Sequence, residues 1–280
     1  MSTPYTYSQE VPSVVPVTSV LPQICVSPPY FALEQLSYDG KLQARVNASQ
    51  PQTREAGPMR AAELSRHGAI SGLVCAALNQ ETTEHRYYLA TSAHYRAFRN
   101  DAPYGSDVQL EAGLTKRSNR YAKAHIELCN DAPVAELDVT YSVLKSRLFD
   151  KLFAAHRNDA VQPSVLTPLP EGILTREGNG FKHHFSNLPV ECCAGHFENY
   201  PALPVALIVA EMGRLSELIL GTDTFVHDAK VRADRLCWAG NPLTFRTELR
   251  SSEGDLHRFY GEAVSGGEVC TQLDFLVEAL

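Results

Sequence analysis

The sequence lacks a long hydrophobic run. No segment of its 280 residues approaches the roughly 18 consecutive apolar residues that a membrane-spanning helix needs. The start of the chain, residues 1–27, is rich in Ser, Thr and Pro and has neither the basic residues nor the apolar stretch of a secretory signal. We therefore expect a cytoplasmic protein without a membrane partner, whose residues 1–27 form a flexible lead-in.

Clusters of basic residues and metal-type cysteine spacings are also missing. The formal net charge of -7 comes from residues scattered along the chain, so no basic patch predicts a nucleic-acid partner. Of the seven cysteines, Cys192 and Cys193 are adjacent and the others lie far apart, which is not the spacing of a zinc site. We expect reduced structural thiols, no bound metal and no cofactor.

A faint internal repeat is present. Residues 62–66 read Ala-Glu-Leu-Ser-Arg and residues 210–214 read Ala-Glu-Met-Gly-Arg, and each pentapeptide opens an apolar stretch that predicts a long buried helix. A hairpin-like pattern precedes each helix, over 31–46 and 172–185. Several strand-like runs follow each helix. The two halves therefore share one order of elements.

This order predicts an α+β fold in which each half wraps an antiparallel sheet around one buried helix. Helical spacing over residues 141–156 predicts a connecting helix, and we place the boundary near residue 158. The halves are then 28–158 and 159–280. A single α+β domain with chance internal similarity is the alternative.

The most specific local signal is residues 195–204, Gly-His-Phe-Glu-Asn-Tyr-Pro-Ala-Leu-Pro, directly before the second helix. This stretch resembles the β-hydroxyacyl-ACP dehydratases, whose signature is Gly-His-Phe-Pro, a second Pro, then Met-Pro-Gly and a buried helix. Residues 231–233 and 240–243 resemble that family's next strand and its Pro-Gly-Asp-x-Leu turn. The likeness reaches the first half only through the repeat. The matching motif positions are Gly195, His196, Phe197, Pro201 and Pro204.

The resemblance implies a hotdog fold, here a tandem double hotdog, and a lyase that dehydrates a 3-hydroxyacyl thioester of acyl carrier protein or coenzyme A in fatty-acid or polyketide biosynthesis. His196 is then the base, since histidine has an ordinary pKa of about 6.5. The family takes its acid from the helix of the partner unit, which points to Glu63. Such a chain is its own pseudo-dimer, so the protein is expected to be a monomer or a homodimer. The expected substrate-binding residues are Gly195, Phe197, Pro204, Arg66 and His67.

Several positions depart from the family pattern. The helix acid of the family falls at Ala210, with Glu211 one residue later, and the family's Gly and Pro are Val205 and Glu198 here. The first half has no Gly-His-Phe counterpart near residues 47–57. We therefore predict one working site, built from His196 and Glu63, and one degenerate site near Glu211.

Other interpretations stay open. Glu63 in a thioesterase would activate water, or it is an ordinary acid of a first helical turn, and His196 could only bond backbone in a loop. A degraded motif would also suit a non-catalytic acyl-thioester binder or assembly partner. Arg66 and Arg214 recur at one repeat position, which fits either packing or contact with a pantetheine phosphate.

Overall fold

The computed structural model describes residues 12–47, 60–98, 105–159 and 164–280. Among these residues, none of the helices combines the length and apolar character needed to cross a membrane. The four α-helices are α1 (Val17–Val20), α2 (Ala61–Leu78), α3 (Ser146–Phe153) and α4 (Val205–Leu220).

Long strands of both halves, such as β6, and the shorter β3 alternate buried residues with more exposed ones, because one face of the sheet covers the core. The first half contains β1 (Ser13–Val14), β2 (Glu34–Tyr38), β3 (Leu42–Asn47), β4 (Arg86–Ala97), β5 (Asp107–Arg117), β6 (Tyr121–Asn130) and β7 (Ala132–Lys145). The second half contains β8 (Ile173–Glu177), β9 (Gly180–Phe185), β10 (Ala202–Leu203), β11 (Thr224–Ala233), β12 (Cys237–Trp238), β13 (Leu243–Glu253), β14 (Leu256–Ser265) and β15 (Glu268–Ala279).

Thirteen of these strands form one antiparallel sheet in the order β1-β2-β3-β5-β6-β7-β4-β11-β15-β14-β13-β9-β8. Read inward from its two edges, the order β2-β3-β5-β6-β7-β4 matches β8-β9-β13-β14-β15-β11. The two series meet where β4 pairs with β11, with Tyr95 opposite Ala229 and Ala93 opposite Val231. The element order of the first half therefore recurs in the second.

The two long helices lie on the same side of this sheet and contact each other. Helix α2 packs on β5 and β6, and α4 packs on β13. Gly72 permits close packing of α2, because a Cβ there would lie 2.5 Å from the Tyr141 hydroxyl, which donates a hydrogen bond to the Ala69 carbonyl. Arg60 pairs with Glu217, so an ion pair also joins the start of α2 to the end of α4.

The described part of the expected lead-in is ordered and packed. Val20 is 0% exposed and Ile24 and Cys25 are buried with it, and the Ile24 carbonyl lies 2.8 Å from His85 Nε2. The apolar residues between the prolines of this segment explain the difference, since they bury against the core. The expectation of a flexible segment is thus wrong for residues 12–27, and residues 1–11 lie outside the described residues.

Candidate functional site

A cavity of about 1050 Å³ lies between α2, α4 and the central strands β4, β11 and β15. Its deep walls are apolar side chains of both halves, including Ile70, Leu73, Val139, Leu207 and Phe275. Cavities of this size and apolar lining are typical of sites for small molecules. The chain therefore contains a ligand-sized apolar space to which both halves contribute.

The loop that carries His196 is held against the N-terminal segment. Gly195 has a φ of +75°, and a Cβ there would lie 2.3 Å from the Ser27 carbonyl oxygen, so the position requires glycine. Ser27 N–H donates to the Gly195 carbonyl over 2.9 Å, and Phe197 N–H donates to the Cys25 carbonyl over 3.0 Å. The ordered N-terminal segment thus fixes the backbone on both sides of His196.

One hydrogen bond orients the imidazole of His196. Nδ1 lies 2.7 Å from the Ala202 carbonyl oxygen, and a carbonyl can only accept, so Nδ1 carries the proton and Nε2 carries the lone pair. His196 lines the cavity. Burial lowers its pKa to about 4, even though the hydrogen bond to Ala202 raises it. The imidazole is therefore neutral near pH 7, with its lone pair on Nε2.

Two aromatic rings contact this imidazole. Phe197 stacks on it with centroids 3.9 Å apart, and Tyr30 meets it edge to face at 5.3 Å. Tyr30 also lines the cavity, and burial raises the pKa of its phenol well above the usual value. The Tyr30 hydroxyl is therefore protonated, and the ring that carries it contacts His196.

Glu63 lies in the core rather than on the cavity wall. It is 2% exposed, and its Oε1 accepts hydrogen bonds from Arg66 over 3.0 Å and from His67 Nε2 over 2.8 Å. Its helical neighbours Ala62 and Ser65 line the cavity, whereas Glu63 does not. In the structure the side chain of Glu63 is turned toward Arg66 and His67, and its expected role as the acid that faces His196 across the pocket stays a prediction.

The counterpart Glu211 does line the cavity. Its Oε1 accepts hydrogen bonds from Arg214 and from His183 Nδ1, both over 2.6 Å. Burial alone would raise the pKa of Glu211, but the hydrogen bonds from Arg214 and His183 hold it below its usual range. Glu211 is therefore an ionised carboxylate held by two side chains.

No family model matches the chain. A 3-hydroxyacyl-[acyl-carrier-protein] dehydratase, FabZ, of Petrotoga mobilis is 30% identical over 90 residues, which are 30% of this chain and 65% of that relative's length. The chain thus spans less than two thirds of this relative.

Solved structures cover far more of the chain. A Lactobacillus plantarum protein provisionally described as an oleoyl thioesterase superposes with a TM-score of 0.62 at 11% identity, over 86% of this chain and 96% of that one. A protein from Alicyclobacillus acidocaldarius with a hotdog fold and no known function superposes with a TM-score of 0.54 at 13% identity, over 88% and 95%. The chain has a hotdog fold.

Within this hotdog fold, both helix positions at which the resemblance expects an acid are alanine. Ala210 is fourteen residues after His196, and the repeat places Ala62 at the same position of α2. Both alanines line the cavity. The cavity wall therefore has a methyl group at each position where the dehydratases would carry a carboxylate.

The expected substrate-binding residues divide into two groups. Phe197 lines the cavity of the hotdog fold, whereas Gly195, Pro204, Arg66 and His67 do not. Gly195 shapes the loop, and the Pro204 carbonyl accepts from Leu207 N–H at the start of α4. Arg66 lies under the Tyr30 ring, 5.6 Å from its centroid. For Gly195, Pro204, Arg66 and His67, contact with a substrate remains a prediction. The contacts that the structure shows for them are with other parts of the protein.

The sequence analysis missed two groups of this site, Tyr30 and the Ala202 carbonyl. Tyr30 follows directly on the segment that was expected to be flexible, and no motif marks it. The Ala202 carbonyl is a backbone group, so its residue type carries no signal. The family motif does place Ala202 six residues after His196, and that spacing was the available clue.

Proposed function

We propose that this protein dehydrates a 3-hydroxyacyl thioester to the 2-enoyl thioester, with the acyl chain in the cavity and His196 as the base. The observation that carries the proposal is the neutral imidazole whose Nδ1 proton is bound by the Ala202 carbonyl and whose Nε2 therefore carries the lone pair at the cavity wall. A base held in one tautomer at an apolar site is what proton abstraction next to a thioester carbonyl needs. The dehydratase of Petrotoga mobilis, whose name includes the acyl carrier protein, supports this reaction.

The low pKa of His196 explains how the proposed dehydration can proceed without a separate carboxylic acid. When Nε2 takes the proton from the carbon next to the carbonyl, the resulting imidazolium is a strong acid, because burial disfavours its charge. It can return the same proton to the 3-hydroxyl group, which then leaves as water. A single histidine thus completes the elimination with protons balanced, and a carboxylate at Ala62 or Ala210 is not required.

Tyr30 is the proposed hydrogen-bond donor of this site. Its phenol remains protonated, and its ring lies at the cavity wall in contact with His196. A donor fixed in an apolar site stabilises negative charge that develops on a thioester oxygen. Glu63 then has an indirect role, in which it holds Arg66 beneath the Tyr30 ring. Glu63 as the direct acid stays a prediction that substitution can test.

The architecture supports a tandem interpretation of the hotdog fold. We infer that residues 28–158 and 159–280 are two hotdog units, since the strand order of the first half recurs in the second. One chain then supplies both walls of the cavity, and the working unit can be a monomer. The carrier of the acyl group is either acyl carrier protein or coenzyme A.

A thioesterase is the second candidate, and the likeness in fold to the Lactobacillus plantarum protein provisionally described as an oleoyl thioesterase is the observation that favours it. Hydrolysis needs a base for water and a donor for the carbonyl oxygen. Like the proposed dehydration, it does not require a carboxylate at position 62 or 210. His196 Nε2 would then activate a water molecule instead of removing a proton from the substrate.

Mass spectrometry of thioester substrates separates these reactions. Purified protein is incubated with 3-hydroxyacyl and saturated acyl thioesters of both carriers, with His196→Ala and His184→Ala as matched variants. His184 is bonded to Thr244 and lies outside the cavity lining. Loss of water that depends on His196 supports dehydration, loss of the thiol supports the thioesterase, and unchanged substrates contradict both.

A further inference from the structure

Helix α3, which follows β7 between the two halves, is fixed to the core by two aromatic residues. Phe149 is 0% exposed and stacks on Tyr87 with ring centroids 3.6 Å apart. Phe153, one turn later, contacts Trp238 with centroids 5.2 Å apart. These contacts hold one face of α3 against the protein, so the orientation of its other faces is also fixed.

The outward side of α3 carries two leucines and two cations. Leu148 is 47% exposed and Leu152 is 58% exposed, and the side chains of Arg147 and Lys151 are exposed with them. Residues four apart lie one above the other on a helix, so the leucines form one stripe and the cations form a second stripe beside it. We call these four residues the α3 patch. Single exposed leucines are common on protein surfaces, whereas a contiguous apolar stripe with a charged border is typical of an interaction site.

The charge of the α3 patch is positive and not neutralised. The ion pairs near this helix use Lys145 and Arg157, and neither Arg147 nor Lys151 forms an ion pair with another residue in the described part of the chain. The acid of the same helix, Asp150, lies by helical spacing on the flank opposite the leucines. The whole chain has a formal net charge of -7, so this positive surface is local. Complementary charge therefore favours an acidic partner at this position.

The α3 patch lies at the opening of the cavity. Leu152 lines the cavity although more than half of it is exposed to solvent, which places it where the cavity meets the surface. The rings of His156 and Trp238 also line the cavity and stack with centroids 4.3 Å apart. A partner bound on the α3 patch would therefore sit next to the entrance of the space that contains His196.

We propose that the α3 patch docks an acyl carrier protein, which presents an acidic helix with apolar side chains, and that the tethered acyl group enters the cavity beside Leu152. This inference rests on the proposed function and selects between its two carriers. The leucines favour a protein, because the phosphates of coenzyme A could pair with Arg147 and Lys151 but would leave the apolar stripe uncovered. An acidic helix that also carries apolar residues would cover both stripes at once.

The test measures binding of a fluorescently labelled acyl carrier protein to the full-length protein by fluorescence anisotropy. Its acyl group is attached through a stable amide, so that no reaction consumes it. The double variant Arg147→Glu with Lys151→Glu should bind it about tenfold or more weakly. The matched control is Arg45→Glu with Lys116→Glu, which makes the same change in charge at exposed positions of β3 and β5 outside the cavity lining. The control should stay within about twofold of the wild-type protein, because distant surface charges are screened.

A second variant, Leu148→Ala, tests the apolar stripe. It should weaken binding of the carrier protein about threefold or more, the usual size for an apolar contact within an interface. Added salt should reduce the effect of the double charge variant, since ion pairs at a surface are screened, and should leave the effect of Leu148→Ala in place. Circular dichroism verifies that each variant is folded.

The same acyl amide on coenzyme A serves as the second probe, and it should bind the wild-type protein and the double charge variant equally well. Three results would overturn the proposal. The carrier protein fails to bind the wild-type protein, the control pair weakens its binding as much as the α3 pair, or the α3 pair weakens binding of the coenzyme A compound equally. A wild-type dimer that the α3 pair dissociates would also overturn it, because a second copy of the chain would then cover the patch. Binding is measured without turnover, so a failure of the proposed reaction leaves this result unaffected.

Discussion

The repeated Ala-Glu-x-x-Arg pattern lies in the first turns of α2 and near the middle of α4, and the protein uses it in two different ways. Glu63 and Glu211 each accept a hydrogen bond from the arginine three residues later. The side chain of Arg66 is only 4% exposed, whereas that of Arg214 is 43% exposed. The histidine partner of Glu63 comes from its own helix, while that of Glu211 comes from β9. The first cluster (Glu63, Arg66 and His67) is buried in the core. The second cluster (Glu211, Arg214 and His183) lies at the cavity wall.

The difference shows that a repeated sequence does not fix the exposure of its residues. The carboxylates occupy equivalent positions of the sequence repeat, but Tyr30 of the N-terminal segment lies over Arg66 and covers the first cluster. Neither carboxylate reaches His196 through a hydrogen bond within the described residues. The comparison therefore supports the proposal that the chemistry belongs to the His196 loop, and it shows the Glu63 cluster as a set of contacts within the core.

The largest expected effect is that of His196→Ala. If the loop carries the chemistry, turnover should fall by about a hundredfold to ten-thousandfold, the usual loss for a general acid-base group. The fold should remain, because the imidazole lies at a cavity wall. Turnover is measured with the thioester that the wild-type protein converts, and circular dichroism verifies folding. A variant that keeps the wild-type rate would move the chemistry to one of the two clusters.

Paired substitutions in the two clusters test their contrast directly. Glu63→Gln leaves the buried guanidinium of Arg66 without a counter-charge, so the free energy of unfolding should fall by about 3 kcal/mol. Glu211→Gln should lower it by about 1 kcal/mol, because Arg214 is partly solvated. Chemical denaturation of both variants measures these changes. Equal losses would mean that the two clusters are equivalent.

The same two variants test the role of Glu63 in turnover. A direct acid would make Glu63→Gln nearly inactive even where the protein is fully folded. If Glu63 instead only holds Arg66 beneath the Tyr30 ring, Glu63→Gln should lose part of its turnover and still convert the same thioester as the wild-type protein. Glu211→Gln should leave the rate almost unchanged, because the His196 loop lies elsewhere on the cavity wall. A rate loss confined to Glu211→Gln would place the acid on α4.

Much of the fold could be predicted from the sequence, because it follows from periodicity. The apolar stretches after Glu63 and Glu211 have the helical pattern that burial requires, and both became helices. The Gly-His-Phe motif located His196 in the loop that precedes α4, and the structure places it on the cavity wall. The hydrophobic pattern was therefore enough to predict the two long helices, and the motif spacing was enough to place His196.

The role of Glu63 could not be predicted in the same way. Which side of α2 faces the cavity depends on long-range packing, and one residue of helix is enough to turn a side chain from the wall to the core. Tyr30 and the segment before it were also missed, because residues 12–27 show no regular periodicity. Their burial depends on contacts with the distant His196 loop, which no local window contains.

Tyr30→Phe is expected to have a smaller effect than His196→Ala. The ring and its packing are retained, so the loss measures the hydroxyl alone. Removal of one donor at a developing negative charge costs about a hundredfold in turnover. Tyr88→Phe is the matched control, since Tyr88 also lines the cavity but its hydroxyl is bonded to Gln80. Similar rates in the two variants would remove Tyr30 from the proposed site.

The smallest expected effect is the response to moderate acid, and it tests the burial of His196. A general base works in its neutral form, and the lowered pKa of about 4 keeps His196 neutral down to about pH 5. The value of kcat/KM should therefore stay nearly constant from pH 8 to pH 5.5. An ordinary histidine with a pKa of about 6.5 would instead lose about tenfold over this range.

Stability must be followed in the same experiment, since the lowered pKa also affects unfolding. Between about pH 6.5 and pH 4 the unfolded chain binds a proton at His196 that the folded protein does not, so stability falls as the pH falls through this window. Circular dichroism at each pH shows where the protein is still folded, and only those rates are compared. Within the folded range, an acid limb with an apparent pKa near 6.5 would mean that the imidazole is solvated. His196 would then behave as an exposed histidine. The proposal that this one imidazole both removes the proton and returns it to the 3-hydroxyl group would lose its physical basis.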